Sequence, residues 1–173
     1  MSARASVGAP ERLEDRHDCA AFDCGAPGLN DWLRQQARRN EVTGASRNYV
    51  VSVGARVVGF YALATGLVAR AAATGKVRRK MPDLIPVMIL GRLAVDTAYQ
   101  GSGLGTGLLR DALLRTLQVA EQAGIRAVVL HAMSEPARRF CERAGFAASP
   151  IDPMTMMISI ADIERNLTGP TTP

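Results

Sequence analysis

A run of glycines between an apolar segment and a helical pattern constrains this chain more than any other feature. Gln100-Gly101-Ser102-Gly103-Leu104-Gly105-Thr106-Gly107 alternates glycine with other residues. Before it, Val87–Val95 is dense in apolar residues, as a central strand is. After it, Leu104, Leu108, Leu109, Ala112, Leu113, Leu117 and Ala120 mark one face of a helix running to about Gln122, with Gly124 as its stop. A strand, a glycine loop and a helix in that order can bind an oxyanion. Glycines let the backbone approach, successive N–H groups form a concave nest, and the helix dipole adds its positive end. A dinucleotide fingerprint does not fit: the third glycine would fall on Thr106 or on Leu108. A phosphate-binding P-loop does not fit either, because the run contains no Lys. A second reading of the glycines stays open, namely tight helix–strand packing with no ligand.

The flanking segments supply the rest of an α/β pattern. Leu29, Trp32, Leu33, Gln36 and Ala37 predict a helix over Pro27–Asn40, capped by Asn30 or Gly28. Tyr49–Val53 and Val57–Ala64 read as strands joined by a turn at Gly54-Ala55-Arg56. Residues 65–85 read as a long basic connection, and long connections inside compact domains are often functional. Ile125–Ala132 reads as a strand, Glu135–Ala144 as a helix closed by Gly145, Met154–Ile160 as a last strand and Ile163–Leu167 as a short turn. No repeat or linker divides the 173 residues, so one domain spanning 1–173 is expected, with 1–10 and 168–173 flexible.

Composition excludes several classes. The hydrophobic fraction of 47% is enough for a core. The apolar stretch Pro86–Leu90 is far shorter than the ~18–20 residues that span a bilayer, so no membrane contact is expected. Met1–Arg16 lacks the apolar centre of a secretory signal, which points to the cytoplasm. Cys19, Cys24 and Cys141 form neither a disulfide framework nor, with His17 nearby, a zinc site, and no metal is expected. The net charge of +5 is unevenly placed: Arg70, Lys76, Arg78, Arg79 and Lys80 stand together without an acid. Such a stretch is either a solvated loop or a phosphate-binding surface.

Gln100-Gly101-Ser102-Gly103-Leu104-Gly105 resembles the Q/R-x-x-G-x-G/A signature of the GNAT N-acetyltransferases. Ala137-Arg138-Arg139-Phe140-Cys141-Glu142-Arg143-Ala144-Gly145-Phe146 is similar to the A-x-x-F-Y-x-x-x-G-F signature near the end of that fold. The resemblance covers roughly residues 20–160. It implies an α/β GNAT fold: a mixed, mostly antiparallel sheet, splayed at the acetyl-CoA site and flanked by helices. It implies acetyl-CoA as co-substrate, with its pyrophosphate on the backbone of Gln100, Gly101, Ser102, Gly103, Leu104, Gly105 and Thr106. Pantetheine would pair with the strand at Leu93 and Val95 and lie near Phe140, and an amide of this strand would polarise the thioester.

A narrower resemblance rests on four strings in order: Phe22-Asp23-Cys24-Gly25, Leu29-Asn30-Asp31-Trp32-Leu33, Val58-Gly59-Phe60-Tyr61-Ala62-Leu63 and Leu90-Gly91-Arg92-Leu93-Ala94-Val95-Asp96. With Thr74-Gly75-Lys76-Val77-Arg78-Arg79-Lys80-Met81-Pro82-Asp83 they resemble the GNAT toxins of bacterial toxin–antitoxin pairs. That resemblance implies acetylation of the α-amine of aminoacyl-tRNA, a ribbon-helix-helix antitoxin and a homodimer. Lys76, Arg78, Arg79 and Arg92 then become candidate tRNA contacts. Arg92, inside an apolar strand, either faces the substrate groove or pairs with Asp96 or Asp111. His131, at a strand end, reads as a satisfied core or rim residue rather than a base. The family signature carries Tyr, proposed as the acid for the leaving thiolate, where this chain has Cys141. Three readings stand: Cys141 is the catalytic acid, water is the acid and Cys141 packs, or the enzyme is weakened. Two other functions also remain: an acetyltransferase of small-molecule or protein amines, and a relic that binds CoA or antitoxin without turnover.

Overall fold

The computed structural model describes residues 6–168. The elements run β1 (Glu11–Arg12), α1 (Pro27–Gln35), α2 (Ala37–Thr43), β2 (Arg47–Val53), β3 (Arg56–Ala69), α3 (Gly75–Arg78), β4 (Leu84–Val95), α4 (Leu104–Ala120), β5 (Ala127–His131), α5 (Glu135–Arg143), β6 (Ala147–Ala148), β7 (Thr155–Ser159) and α6 (Ile160–Thr168). The strands form a seven-stranded sheet in the order β1-β2-β3-β4-β5-β7-β6. β4 and β5 pair parallel, while β1–β2, β2–β3, β5–β7 and β6–β7 pair antiparallel. This is the mixed sheet with flanking helices that the sequence predicts. The expected flexible ends lie partly outside the described residues, and Gly8 N–H donates to Ser52 O at 2.9 Å.

The chain divides into two compact units. One comprises Met1–Ala64 and Gly91–Ala112, the other Thr65–Leu90 and Leu113–Pro173. In the first, α1 and α2 cover one face of the sheet through Phe22, Leu33, Ala37, Val50, Phe60 and Ala94. The Phe22 and Phe60 rings meet edge to face at 5.5 Å, and Trp32 stacks on Phe60 at 6.0 Å. α4 lies against Gly59, where a Cβ would come within 2.9 Å of Val51 and 3.0 Å of Leu108, so only glycine admits the helix this close. In the second unit, Ala73, Val77, Ile85, Val87, Ala127 and Met157 form the core.

Three sequence expectations are corrected. The helix over Pro27–Asn40 is two helices, broken at Gln36 (φ −107°, ψ −32°) and continued to Thr43. The break turns the buried Ala37 toward β2, where the Asn48 side-chain amide donates to Ala37 O at 3.0 Å. The connection over 65–85 is shorter, because β3 runs on to Ala69 and β4 starts at Leu84. Arg70 N–H donates to Asp83 O at 3.0 Å and closes the end of this strand pair. What remains of the basic connection carries one helical turn, α3, capped by Thr74 Oγ1 accepting from Val77 N–H at 3.4 Å. Finally, the turn at Ile163–Leu167 is part of a nine-residue helix, α6, anchored by the fully buried Ile163.

Candidate active site

The glycine loop belongs to the first unit, and polar side chains fix its entry. Asp96, only 2% exposed, accepts from Ala98 N–H at 3.0 Å and from Asp23 N–H at 3.1 Å, with Arg56 at 3.6 Å. The Gln100 side-chain amide donates to Val95 O at 2.9 Å and to Cys24 O at 3.2 Å, while Ser102 Oγ donates to Tyr99 O at 2.5 Å. These two side chains therefore shape the loop and leave its outer face to backbone. Gly101 and Gly103 take φ of +79° and +85°, and a Cβ added to either would meet nothing within 4 Å. The space over the loop is open. The helix that follows has no acid in its first turn. Its first amides, at Leu104, Gly105 and Thr106, have no intrahelical acceptor. A left-handed glycine pair, open space and unopposed amides fit a pyrophosphate.

β4 leads into this loop. Val87, Met88 and Ile89 pair with Ala127, Val128 and Val129 of β5, and β4 then continues through Leu90–Val95. Gly91 is exposed and Arg92, Leu93 and Val95 are half-buried, while Ala94 between them faces the core. Among the described residues the register of β4 with β5 ends at Ile89. The Arg92 guanidinium lies over the Trp32 ring, 4.3 Å from its centroid, and burial pulls its pKa below the usual value. It pairs with neither Asp96 nor Asp111. Asp96 is taken by Arg56 and two amides, and Asp111 accepts from the Tyr61 hydroxyl. Arg92 has no carboxylate within ion-pair distance among the described residues.

The second unit holds α5. Ser134 Oγ accepts from Ala137 N–H at 3.2 Å, Pro136 sits in the first turn, and Gly145 (φ +101°) ends the helix. Cys141 is buried, and its carbonyl accepts from the amides of Ala144 and Phe146 at 3.0 and 3.1 Å. Burial pushes its thiol up to about 11. Phe140 is half-buried beside it. The expected cofactor residues from Leu93 to Thr106 thus share one unit, while Phe140 and Cys141 belong to the other.

Residues 44–148 match the family model described as an acetyltransferase (GNAT) domain. The chain belongs to the GNAT acetyltransferases. Among curated proteins, it is 49% identical over 154 residues to the tRNA-acetylating toxin of Mycobacterium tuberculosis, covering 89% of this chain and 93% of that one. Among solved structures, it is similar to AtaT complexed with acetyl-methionyl-tRNAfMet, with a TM-score of 0.84, 28% identity, and coverage of 92% of this chain and 98% of that one. It is also similar to a mutant AtaT toxin bound to the C-terminus of the antitoxin AtaR and acetyl-CoA, with a TM-score of 0.81, 28% identity, and coverage of 94% and 99%.

In this GNAT chain the candidate tRNA contacts are split. Arg92 lies in the first unit, and Lys76, Arg78 and Arg79 lie on and just after α3 in the second. All three are exposed, as is Lys80. Lys76 pairs with Asp162 at 3.3 Å, whereas Arg78, Arg79 and Lys80 have no carboxylate partner among the described residues. His131 sits exposed at the rim, its Nδ1 3.3 Å from Thr155 Oγ1 and 3.7 Å from Asp152. Sequence reasoning missed Arg126, whose guanidinium reaches the carbonyls of Val77, Lys76 and Arg79. No local signal in Gly124-Ile125-Arg126 points to acceptors so far away along the chain.

Proposed function

We propose that this acetyltransferase moves the acetyl group of acetyl-CoA to the α-amine of aminoacyl-tRNA. In doing so it would act in the cytoplasm as a translation-blocking toxin, restrained by a ribbon-helix-helix antitoxin. The observation that carries this reading is the exposed cationic turn at Arg78, Arg79 and Lys80, unneutralised by any acid of its own. Uncompensated surface charge of this kind suits a polyanion. The 49%-identical tRNA-acetylating relative and the AtaT–tRNA structure support the same substrate, and the AtaR-bound AtaT supports an antitoxin partner. The ribbon-helix-helix type and a homodimer rest on the sequence resemblance.

Acetyl-CoA supplies the activated thioester. The amides from Gly101 to Thr106 receive its pyrophosphate, with Gln100 bracing the loop from behind. Leu93 and Val95 present strand backbone to pantetheine. An α-amine titrates near ~7.7–8.0, so much of it is already free at neutral pH, and placement does more than a base could. Cys141 holds its proton at neutral pH, as an acid must. With its thiol at about 11, however, transfer to a thiolate of ordinary basicity runs uphill. Water, at about 15.7, is a weaker acid still, so the raised thiol does not choose between Cys141 and water as the proton donor, and Cys141→Ala decides between them.

The test is acetyl transfer from labelled acetyl-CoA to aminoacyl-tRNA, deacylated tRNA, free amino acids and a peptide amine, side by side. Label should appear on aminoacyl-tRNA and not on deacylated tRNA. Equal labelling of free amino acids or the peptide would replace this reading with a general amine acetyltransferase. Binding of acetyl-CoA without transfer to any acceptor would make the chain a non-catalytic relic.

A further inference from the structure

The short helix α3 and the turn that follows it are held through their carbonyls by two arginines, Arg126 and Arg70. Four residues are too few to make a helix that is stable by itself. Thr74 caps its start, and its last carbonyls need partners from elsewhere. Arg126 supplies them: Nε donates to Val77 O at 3.0 Å, and Nη2 donates to Lys76 O at 2.8 Å and Arg79 O at 3.4 Å. Arg126 is itself pinned by backbone, since its N–H donates to Pro86 O at 2.8 Å and its carbonyl accepts from Ile160 N–H at 3.0 Å. Arg70 secures the other end, donating from Nη1 to Met81 O at 2.6 Å. Between these staples Lys80 is held at φ +58°, a left-handed conformation that L side chains resist.

This arrangement concentrates positive charge. Arg70 and Arg126 add two fixed charges to Lys76, Arg78, Arg79 and Lys80, and like charges at short range repel. Among the described residues, only Lys76 of these six has a carboxylate within ion-pair distance. Capping alone needs no cation, because water satisfies exposed helix-end carbonyls. Cations here both fix the turn and deepen its positive potential, and both effects serve a multiply charged anion.

We propose that Arg126, together with Arg70, is a positioning residue that holds the segment from Thr74 to Met81 as a preformed receptor for the phosphates of the tRNA substrate. The identity of the polyanion rests on the function proposed above; the positioning role does not.

The experiment compares wild type with Arg126→Lys, Arg126→Gln and Arg70→Lys. It measures amide hydrogen exchange over residues 74–81 and steady-state kinetics with acetyl-CoA and aminoacyl-tRNA. All three variants should exchange faster in this segment. KM for aminoacyl-tRNA should rise about tenfold in the Arg126 variants, the scale of lost hydrogen bonds from a charged donor. KM for acetyl-CoA and kcat should stay unchanged. Lysine should not rescue, because an ammonium lacks the planar fork that spans three carbonyls. The proposal is overturned if Arg126→Lys keeps the wild-type KM, or if exchange in the segment does not change in any variant. Arg70→Lys leaves the β5 side untouched, so it decides the matter should the Arg126 variants fold poorly. If wild type itself shows no turnover with aminoacyl-tRNA, the substrate reading fails while exchange still decides the positioning.

Discussion

At the scale of single residues, Cys141 decides most. It stands where the family signature has a phenol, and burial raises its thiol to about 11. An unfolded thiol ionises near ~8.5. The folded form therefore keeps a proton that the unfolded chain gives up between those values. This contribution to stability is intact below ~8.5 and is lost as pH rises toward about 11. The same protonation makes Cys141 a poor nucleophile. Alkylation of Cys141 by iodoacetamide, followed by mass spectrometry, should be slow at neutral pH and still climbing at pH 10; a plateau below pH 9 would mean an ordinary or activated thiol. If water is the acid, Cys141→Ala should change kcat less than about threefold, whereas loss of a general acid costs ~10²–10⁴-fold. Arg92 shows a different solution for a charge in an apolar strand. It is stacked on Trp32 rather than neutralised by an acid, which leaves its charge available to an anion.

At the scale of elements, the strand–loop–helix of β4, residues 96–103 and α4 links sequence to site most directly. Gly103 holds φ +85° with open space beyond its Cα. Gly103→Asp would place a carboxylate against the proposed pyrophosphate. Calorimetry with acetyl-CoA should show at least about a tenfold weaker Kd, roughly 1.4 kcal/mol, in a folded variant. Unchanged affinity would move the cofactor elsewhere. Gly145 differs, because its φ is +101° and a Cβ would lie 2.8 Å from Asn166. Gly145→Ala should therefore lower stability by about 1–2 kcal/mol, seen as a lower urea midpoint with an unchanged slope. Both glycines were legible in the sequence, Gly103 within an alternating glycine run and Gly145 at the close of a helical pattern. Other features were not. The end of β3, Ala64-Thr65-Gly66-Leu67-Val68-Ala69, lacks the dense β-branched and aromatic residues that announce a strand. It lies beside β4, with Gly66 against the Ile89 side chain, where a Cβ would collide. The break at Gln36 has no Gly or Pro to mark it and comes from tertiary contacts of Ala37. β1 and β6, at two residues each, are too short for any periodicity. Arg126 was invisible for a related reason: its role is set by which carbonyls the fold brings to it.

At the scale of the whole molecule, the net charge of +5 says less than its placement. Many of the cations are already engaged. Arg12 and Arg47 meet Glu41, Arg16 meets Glu11 and Glu14, and Arg138 bridges Glu135 and Glu142. Such exposed pairs add little stability, but they remove those charges from the field that a polyanion feels. Arg78 and Arg79 are the counter-case, exposed and unmatched. If they contact tRNA phosphates, each contact releases counterions and adds ~0.7–0.9 to the slope of log affinity against log salt. Replacing both by Ala should flatten that slope by up to about two contacts' worth and weaken binding most at low salt. Lys76→Ala should do less, because Asp162 already offsets the Lys76 charge at 3.3 Å. Acetyl-CoA affinity should not change in any of these variants, because none of these three side chains is among the residues proposed to hold the cofactor. Filter binding of aminoacyl-tRNA across a salt series measures the slopes directly. An unchanged slope in the double variant would reduce the turn to a solvated loop. A flattened slope accompanied by weaker acetyl-CoA binding would instead show that these arginines act through the fold rather than through phosphate contact.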